Sequence, residues 1–269
     1  MNNFKTAVLL SAISGLLIAI GWGLGGPSGA VLFLGIALAM NFGSYWFSAD
    51  IVLRSAHARE IQREEDRDLF DMVARVARDA DLPMPRVYVM DSPQPNAFAT
   101  GRSPRHAAVA VTTGIRQLLT ERELRGVLGH EMAHVKNRDI LTSSVVATIA
   151  SAISMIGFVG LWFGGRRDGM AGLVMLLVAP IAATLIQLGI SRAREFEADR
   201  DGARMVGDPE ALASALAKLH AGAGRRVMPV PESTAHLFIV NPLRAGSVGG
   251  LFSTHPPLEE RVARLRRMQ

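Results

Sequence analysis

Residues 129–150 read GHEMAHVKNRDILTSSVVATIA, and the join inside that stretch decides the fold. Its first half holds His130 and His134, four residues apart, with Glu131 between them. On a helix, positions i and i+4 lie one turn apart on one face, so both imidazoles can reach a single metal ion. Glu131 stands beside them, where its carboxylate can take a proton from an attacking water. The second half turns apolar at Ile140 and stays so to residue 163. At ~1.5 Å per residue that run is long enough to cross ~30 Å of hydrocarbon. A helix carrying metal-binding groups therefore leads straight into a membrane span.

Three further apolar runs cover residues 7–24, 30–47 and 170–190. The links at 25–29 and 164–169 are short, so the four runs make two helical hairpins. A 49% hydrophobic composition and a mean hydropathy of +0.24 fit an integral membrane protein. Lys5 ahead of the first run resembles the start of a secretory leader. No small-x-small cleavage site follows and a second span begins within a few residues, so the run reads as an uncleaved anchor. Pro180, Gln187 and Asn41 interrupt the spans but carry no charge, and neighbouring helices or water can satisfy them. Whether the second hairpin crosses fully or lies shallow stays open.

Basic residues near the spans orient the chain. The side holding the N-terminus and the long loops has Lys5, Arg54, Arg59, Arg63, Arg125, Lys136, Arg138, Arg192, Arg194, Arg200 and Arg204; the other has Arg166 and Arg167. The expected organisation is a hairpin at 1–48, a cytoplasmic part at 49–139, a second hairpin at 140–190 and a second cytoplasmic part at 191–269.

The chain has no cysteine, which excludes disulfides, thiolate ligands and a cysteine nucleophile. Any metal must be held by His, Asp or Glu. The net charge is +5, yet no basic block is interleaved with aromatics and there are two tyrosines, so nucleic acid is not an expected partner. The charge fits loops lying against an anionic leaflet.

In the cytoplasmic parts, a helix is expected from Glu60, with Leu69, Val73, Val76 and Ala77 on one face, ending at the LPMP of residues 82–85. RVYVM at 86–90 and AAVAVTT at 107–113 read as strands flanking NAFATG at 96–101, giving a small sheet with an exposed edge. Thr120 to Glu123 forms a capping box at the head of the histidine helix. Asp208-Pro209-Glu210 opens another helix. Residues 224–254 are Pro/Gly-rich, a candidate lid or flexible loop, and 257–267 form a closing amphipathic helix.

A catalytic zinc takes three protein ligands and keeps a fourth position open. Glu195 in EFEAD is the candidate third ligand. His134 lies about 9 Å before the third run and Glu195 about 7.5 Å beyond the fourth, so antiparallel helices bring them to similar heights. Asp199, one turn further out on the same face, is placed to accept a hydrogen bond from a ligating imidazole. Glu197 points elsewhere. The competing reading pairs these carboxylates with Arg192, Arg194 or Arg200. His255, in STHPP, is either a group that approaches the metal or a developing oxyanion, or a helix-start histidine held by two prolines. His57, His106 and His220 read as surface or packing residues, and His236 is a weaker candidate than His255.

PNAFATG, GHEMAHVKNRDIL, SRAREFEADRDGA, HLFIVNP and FSTHPPLEERVARL, in that order, resemble the blocks of the HtpX-type membrane metallopeptidases, relatives of the zinc CAAX prenyl proteases. The resemblance covers essentially the whole chain. It implies a mainly α integral membrane protein: four transmembrane helices and a cytoplasmic zincin-like HExxH metallopeptidase domain containing a small β-sheet. It implies one Zn²⁺ on His130, His134 and Glu195, with Glu131 as the base. It also implies a bacterial inner-membrane endopeptidase, acting on misfolded or damaged membrane proteins in quality control and stress. Asn96, Ala97 and Phe98 would mark the edge along which substrate lies extended. Two readings compete with it. A transporter gate would want ionisable groups inside the spans, which the four runs lack, and a proteolytically silent adaptor would have no need of Glu131. The sequence indicates no oligomeric state.

Overall fold

A computed structural model describes residues 2–146, 149, 192–223, 239 and 256–268. The third and fourth apolar runs lie largely outside these residues, as do His236 and His255. Helix α1, Asn2–Ser55, is two limbs broken at Gly25 and Gly26. Gly26 takes φ +57°, a region open to glycine but strained for other residues, so the chain can turn back there. Asn41 Nδ2 donates to Ser14 Oγ at 2.8 Å between the limbs, which meets the expectation for that polar group. Both limbs are long and apolar enough to cross a membrane, over Thr6–Gly23 and Gly25–Ser55.

Next come β1 (Arg59–Glu60), α2 (Arg67–Asp79), β2 (Arg86–Met90), β3 (Ala97–Gly101), β4 (Ala107–Thr112), α3 (Thr113–Leu118) and α4 (Glu121–Lys136). They are followed by α5 (Arg192–Val206), α6 (Pro209–Ala223) and α7 (Leu258–Arg266). The helix expected from Glu60 begins only at Arg67. Tyr88 and Val89 draw residues 59 and 60 into an antiparallel pair, and Asp66 caps α2 by accepting from the Leu69 N–H. β2 matches the expected limits, and β4 stops one residue short because the Thr112 hydroxyl caps α3. The capping box holds, Thr120 and Glu123 bonding reciprocally, and Asp208 accepts from the Ala211 N–H at 3.0 Å at the head of α6, as expected of an N-cap.

The sheet order is β1-β2-β4-β3, with β2 and β4 parallel and the outer pairs antiparallel. Side chains alternate along each strand, and both faces are buried. Val87, Val109 and Val111 enter the main core with residues of α2, α4 and α6. Tyr88, Met90, Phe98, Ala108 and Ala110 pack instead with Val52 and Leu53 at the end of α1. The α1 hairpin thus covers the sheet's second face, and β3 forms one edge of the sheet.

One expectation is corrected. The histidine helix does not run unbroken into the third apolar run. α4 ends at Lys136, Arg138 adopts φ +59°, and helix resumes at Asp139. The break turns Asp139 back toward the histidines.

Candidate metal centre

α4 and α5 pack against each other at Gly129 and Gly202. A Cβ on Gly202 would meet the Gly129 carbonyl carbon and the His130 nitrogen at 2.6 Å, so only glycine permits this approach. The close crossing brings Glu195 to the histidines. His130 Nε2 is 3.8 Å from Glu195 Oε2, and His134 Nε2 is 3.5 Å from Glu195 Oε1. The imidazoles meet edge to face, 4.7 Å apart. One donor atom from each of the three residues lies within 4.8 Å of the others, which makes them a possible metal site. Zinc bonds of ~2.0–2.1 Å in a tetrahedron put ligand atoms about 3.3 Å apart, so two nitrogens and a carboxylate at these spacings fit the ion.

The outward ring nitrogens each face a carboxylate. His130 Nδ1 is 2.9 Å from Asp199 Oδ1, an approach oblique to the N–H and therefore mainly electrostatic. His134 Nδ1 is 3.1 Å from Asp139 Oδ2. Each carboxylate is backed by an arginine. Arg261 of α7 grips Asp199 with Nε and Nη2, both at 2.7 Å, and its Nη2 is 3.9 Å from Glu195. Arg194 lies 3.5 Å from Asp139. Such outer contacts fix the tautomer and orientation of a ligating histidine.

Glu131 is buried, and its Oε2 accepts from the Ala99 N–H of β3 at 2.8 Å. Burial pushes its carboxyl up to about 7; Glu195 adds to this, while His134 and the Ala99 N–H oppose it. A carboxylate balanced near neutrality can both take and return a proton. Burial lowers His130 against the pull of Asp199. Burial also opposes charge on His134, but Asp139 and the surrounding carboxylates prevail and raise it to about 9. Asp199 would be raised by burial, but Arg261 holds it down at about 2.

His130, His134, Glu195 and Asp199 therefore converge as the sequence suggests, and Glu197 is exposed. The competing reading is right that Asp199 has an arginine, but the partner is Arg261, not Arg192, Arg194 or Arg200. Of the expected substrate edge, Ala97 presents its backbone outward, its oxygen accepting from the Ile239 N–H at 3.3 Å. The Phe98 side chain points to the opposite face, against α1, and the Asn96 N–H bonds the Thr112 hydroxyl inside the sheet. Ala99 is the residue beside Glu131. His57, His106 and His220 are exposed, as expected.

Sequence reasoning missed Asp139 and Arg261, and named Arg194 only as a competing partner of other carboxylates, not of Asp139. Arg261 left a trace: it sits on the same helical stripe as Leu258 and Leu265, an odd place for a charge.

A family profile described as Peptidase family M48 matches residues 63–269. Protease HtpX homologs are similar across the chain. That of Burkholderia thailandensis is 53% identical over 276 residues, covering 99% of this chain and 97% of its own. That of Methylibium petroleiphilum is also 53% identical, covering 99% and 98%. The crystal structure of S. mikatae Ste24p shares the fold, with a TM-score of 0.54 at 18% identity. That match takes in 98% of this chain but spans only 65% of the Ste24p chain.

Proposed function

The chain belongs to peptidase family M48, and from that premise we propose that it is a membrane-bound zinc endopeptidase with its catalytic centre between α4, α5 and β3. His130, His134 and Glu195 would hold one zinc ion, and Glu131 would be the general base. The carrying observation is the convergence of the two Nε2 atoms and the Glu195 carboxylate next to a Glu131 tied to the edge strand.

Zinc, when bound, supplies a Lewis acid that polarises the scissile carbonyl and lowers the pKa of water. Glu131 takes the proton from the attacking water and passes it to the leaving amine. Asp199 with Arg261, and Asp139 with Arg194, hold the imidazoles with Nε2 turned inward. Substrate pairs with β3, whose outward backbone at Ala99 lies beside Glu131. His255, just ahead of α7, is the group assigned to the developing oxyanion.

The proposed setting is the bacterial inner membrane, with two hairpins at 1–48 and 140–190 and the peptidase parts at 49–139 and 191–269 in the cytoplasm. The excess of basic residues on that side supports the orientation. Misfolded or damaged membrane proteins are the proposed substrates, in quality control and the stress response.

The test is metal content and casein cleavage of the detergent-purified protein beside Glu131→Gln. One zinc per chain in both, with cleavage only by the wild type, supports the reading. Equal cleavage by both would overturn the role of Glu131.

A further inference from the structure

We propose that the enzyme cuts polypeptide where it emerges from the bilayer, within a few residues of the membrane surface. The proposal rests on the peptidase reading and names the substrate class for the same site.

The edge strand β3 descends from the candidate centre to the membrane. Ala99 is at catalytic height, since its N–H donates to Glu131. One residue on, the Thr100 hydroxyl is 2.7 Å from that of Ser144, which lies inside the third apolar run. Two residues further, Arg102 stacks over Trp46 at 4.2 Å. Trp46 lies at the end of the apolar run 30–47, nine residues before the second limb of α1 ends at Ser55, beside Phe42 and Phe47, which are more than half exposed. Exposed apolar side chains on a limb of this length belong in lipid, and Trp46 and Tyr45, where the apolar run ends, mark the headgroup level. From Ala99 to the strand's end at Gly101 is two residues of extended chain, about 7 Å, and Arg102 follows in the bend beyond it.

The strand's outward groups point the same way. Along an edge, every second residue turns its N–H and C=O outward. Ala97 has its oxygen taken by Ile239, so this membrane-distal end of the edge is occupied by the chain itself. The next outward positions are Ala99, whose N–H is given to Glu131 and whose C=O turns outward, and Gly101, on the side toward Trp46. A substrate strand added there runs past Glu131 and down to the headgroups. A segment continuous with a membrane span meets this geometry directly, whereas a chain end far from the bilayer must loop back to reach it.

The experiment uses the full-length enzyme co-reconstituted in liposomes with single-span reporters. Each reporter carries one unstructured cleavable sequence about 5, 15 or 30 residues beyond the span, set by a Gly/Ser linker. Products are mapped by mass spectrometry, and the cleavable sequence is also supplied as a soluble peptide. The expected result is at least ~10-fold faster cutting of the nearest reporter, with cuts in the longer ones shifting into the linker at a constant distance from the span. Equal rates, with cuts that follow the sequence wherever it is placed, overturn the proposal and leave the peptidase reading standing. No cleavage of peptide or reporter overturns both.

Discussion

Asp139 lies 3.1 Å from His134 Nδ1 because the chain turns through a left-handed Arg138 between them. In an unbroken helix, residue i+5 is rotated ~140° from residue i and would face away. The break recovers an orienting carboxylate from the first residue of the next helix. Asp139→Asn, which keeps the side chain's size and a hydrogen-bonding oxygen, is expected to weaken zinc binding ~10–100-fold. Chelator competition on the purified protein measures it; unchanged affinity would show that the carboxylate charge of Asp139 does not act on His134.

Glu131→Gln removes the proton acceptor but no proposed ligand. Cleavage should fall by ~10²–10⁴-fold or more with zinc content unchanged. Loss of zinc in this variant would move Glu131 into the ligand set.

Arg261 and Asp199 form a buried bidentate pair. Arg261→Met leaves a carboxylate buried without its cation, a change that costs about 3–5 kcal/mol. The double change Arg261→Met, Asp199→Asn should recover part of that loss. Melting of the metal-free protein in detergent tests this without reference to activity, and additive losses would refute the coupling.

The same pair sets an acid limit. Asp199 is held at about 2, below the ordinary ~4 of an unfolded aspartate. A depressed carboxylate stabilises the fold above its unfolded pKa, and that stabilisation drains away as pH falls from ~4 to ~2. His134 works in the opposite sense. Its raised pKa, about 9, means the metal-free imidazole is protonated at pH 7, and a metal must displace that proton. Zinc affinity should therefore climb with pH up to about 9. Calorimetry in buffers of differing ionisation enthalpy should show net proton release near pH 7, and none would contradict the assignment.

These relationships differ in how far the sequence alone reveals them. HEMAH and EFEAD can be read as candidate ligand motifs because each is local and periodic, although the unbroken helix assumed in placing them at similar heights is interrupted at Arg138. The β2 and β4 strands and the capping box at Thr120 are equally local, whereas the edge position of NAFATG is implied only by the family resemblance. The break at Arg138 is hidden because tertiary packing can hold a residue of any type at positive φ. β1 is hidden because a two-residue strand exists only by pairing with Tyr88 and Val89. Arg261 is hidden because burial of a charge depends on a partner 62 positions away. Phe98 looks like a substrate contact by its place in the motif, but strand alternation sends it to the other face.

The hairpin of α1, proposed to anchor the protein, is also a wall of its sheet. Val52 and Leu53 pack against Phe98 and Ala110, and Thr6 meets Thr142 at 2.9 Å. Helices adjust their tilt when hydrocarbon thickness departs from their apolar length. Here any such tilt is handed to β3, at the residue next to Ala99. In the proposed membrane setting, acyl-chain length is therefore expected to alter turnover without any mutation in the protein. Cleavage of one peptide in liposomes of graded chain length should pass through an optimum, where a peptidase hung from its anchor by a slack tether would give a flat line.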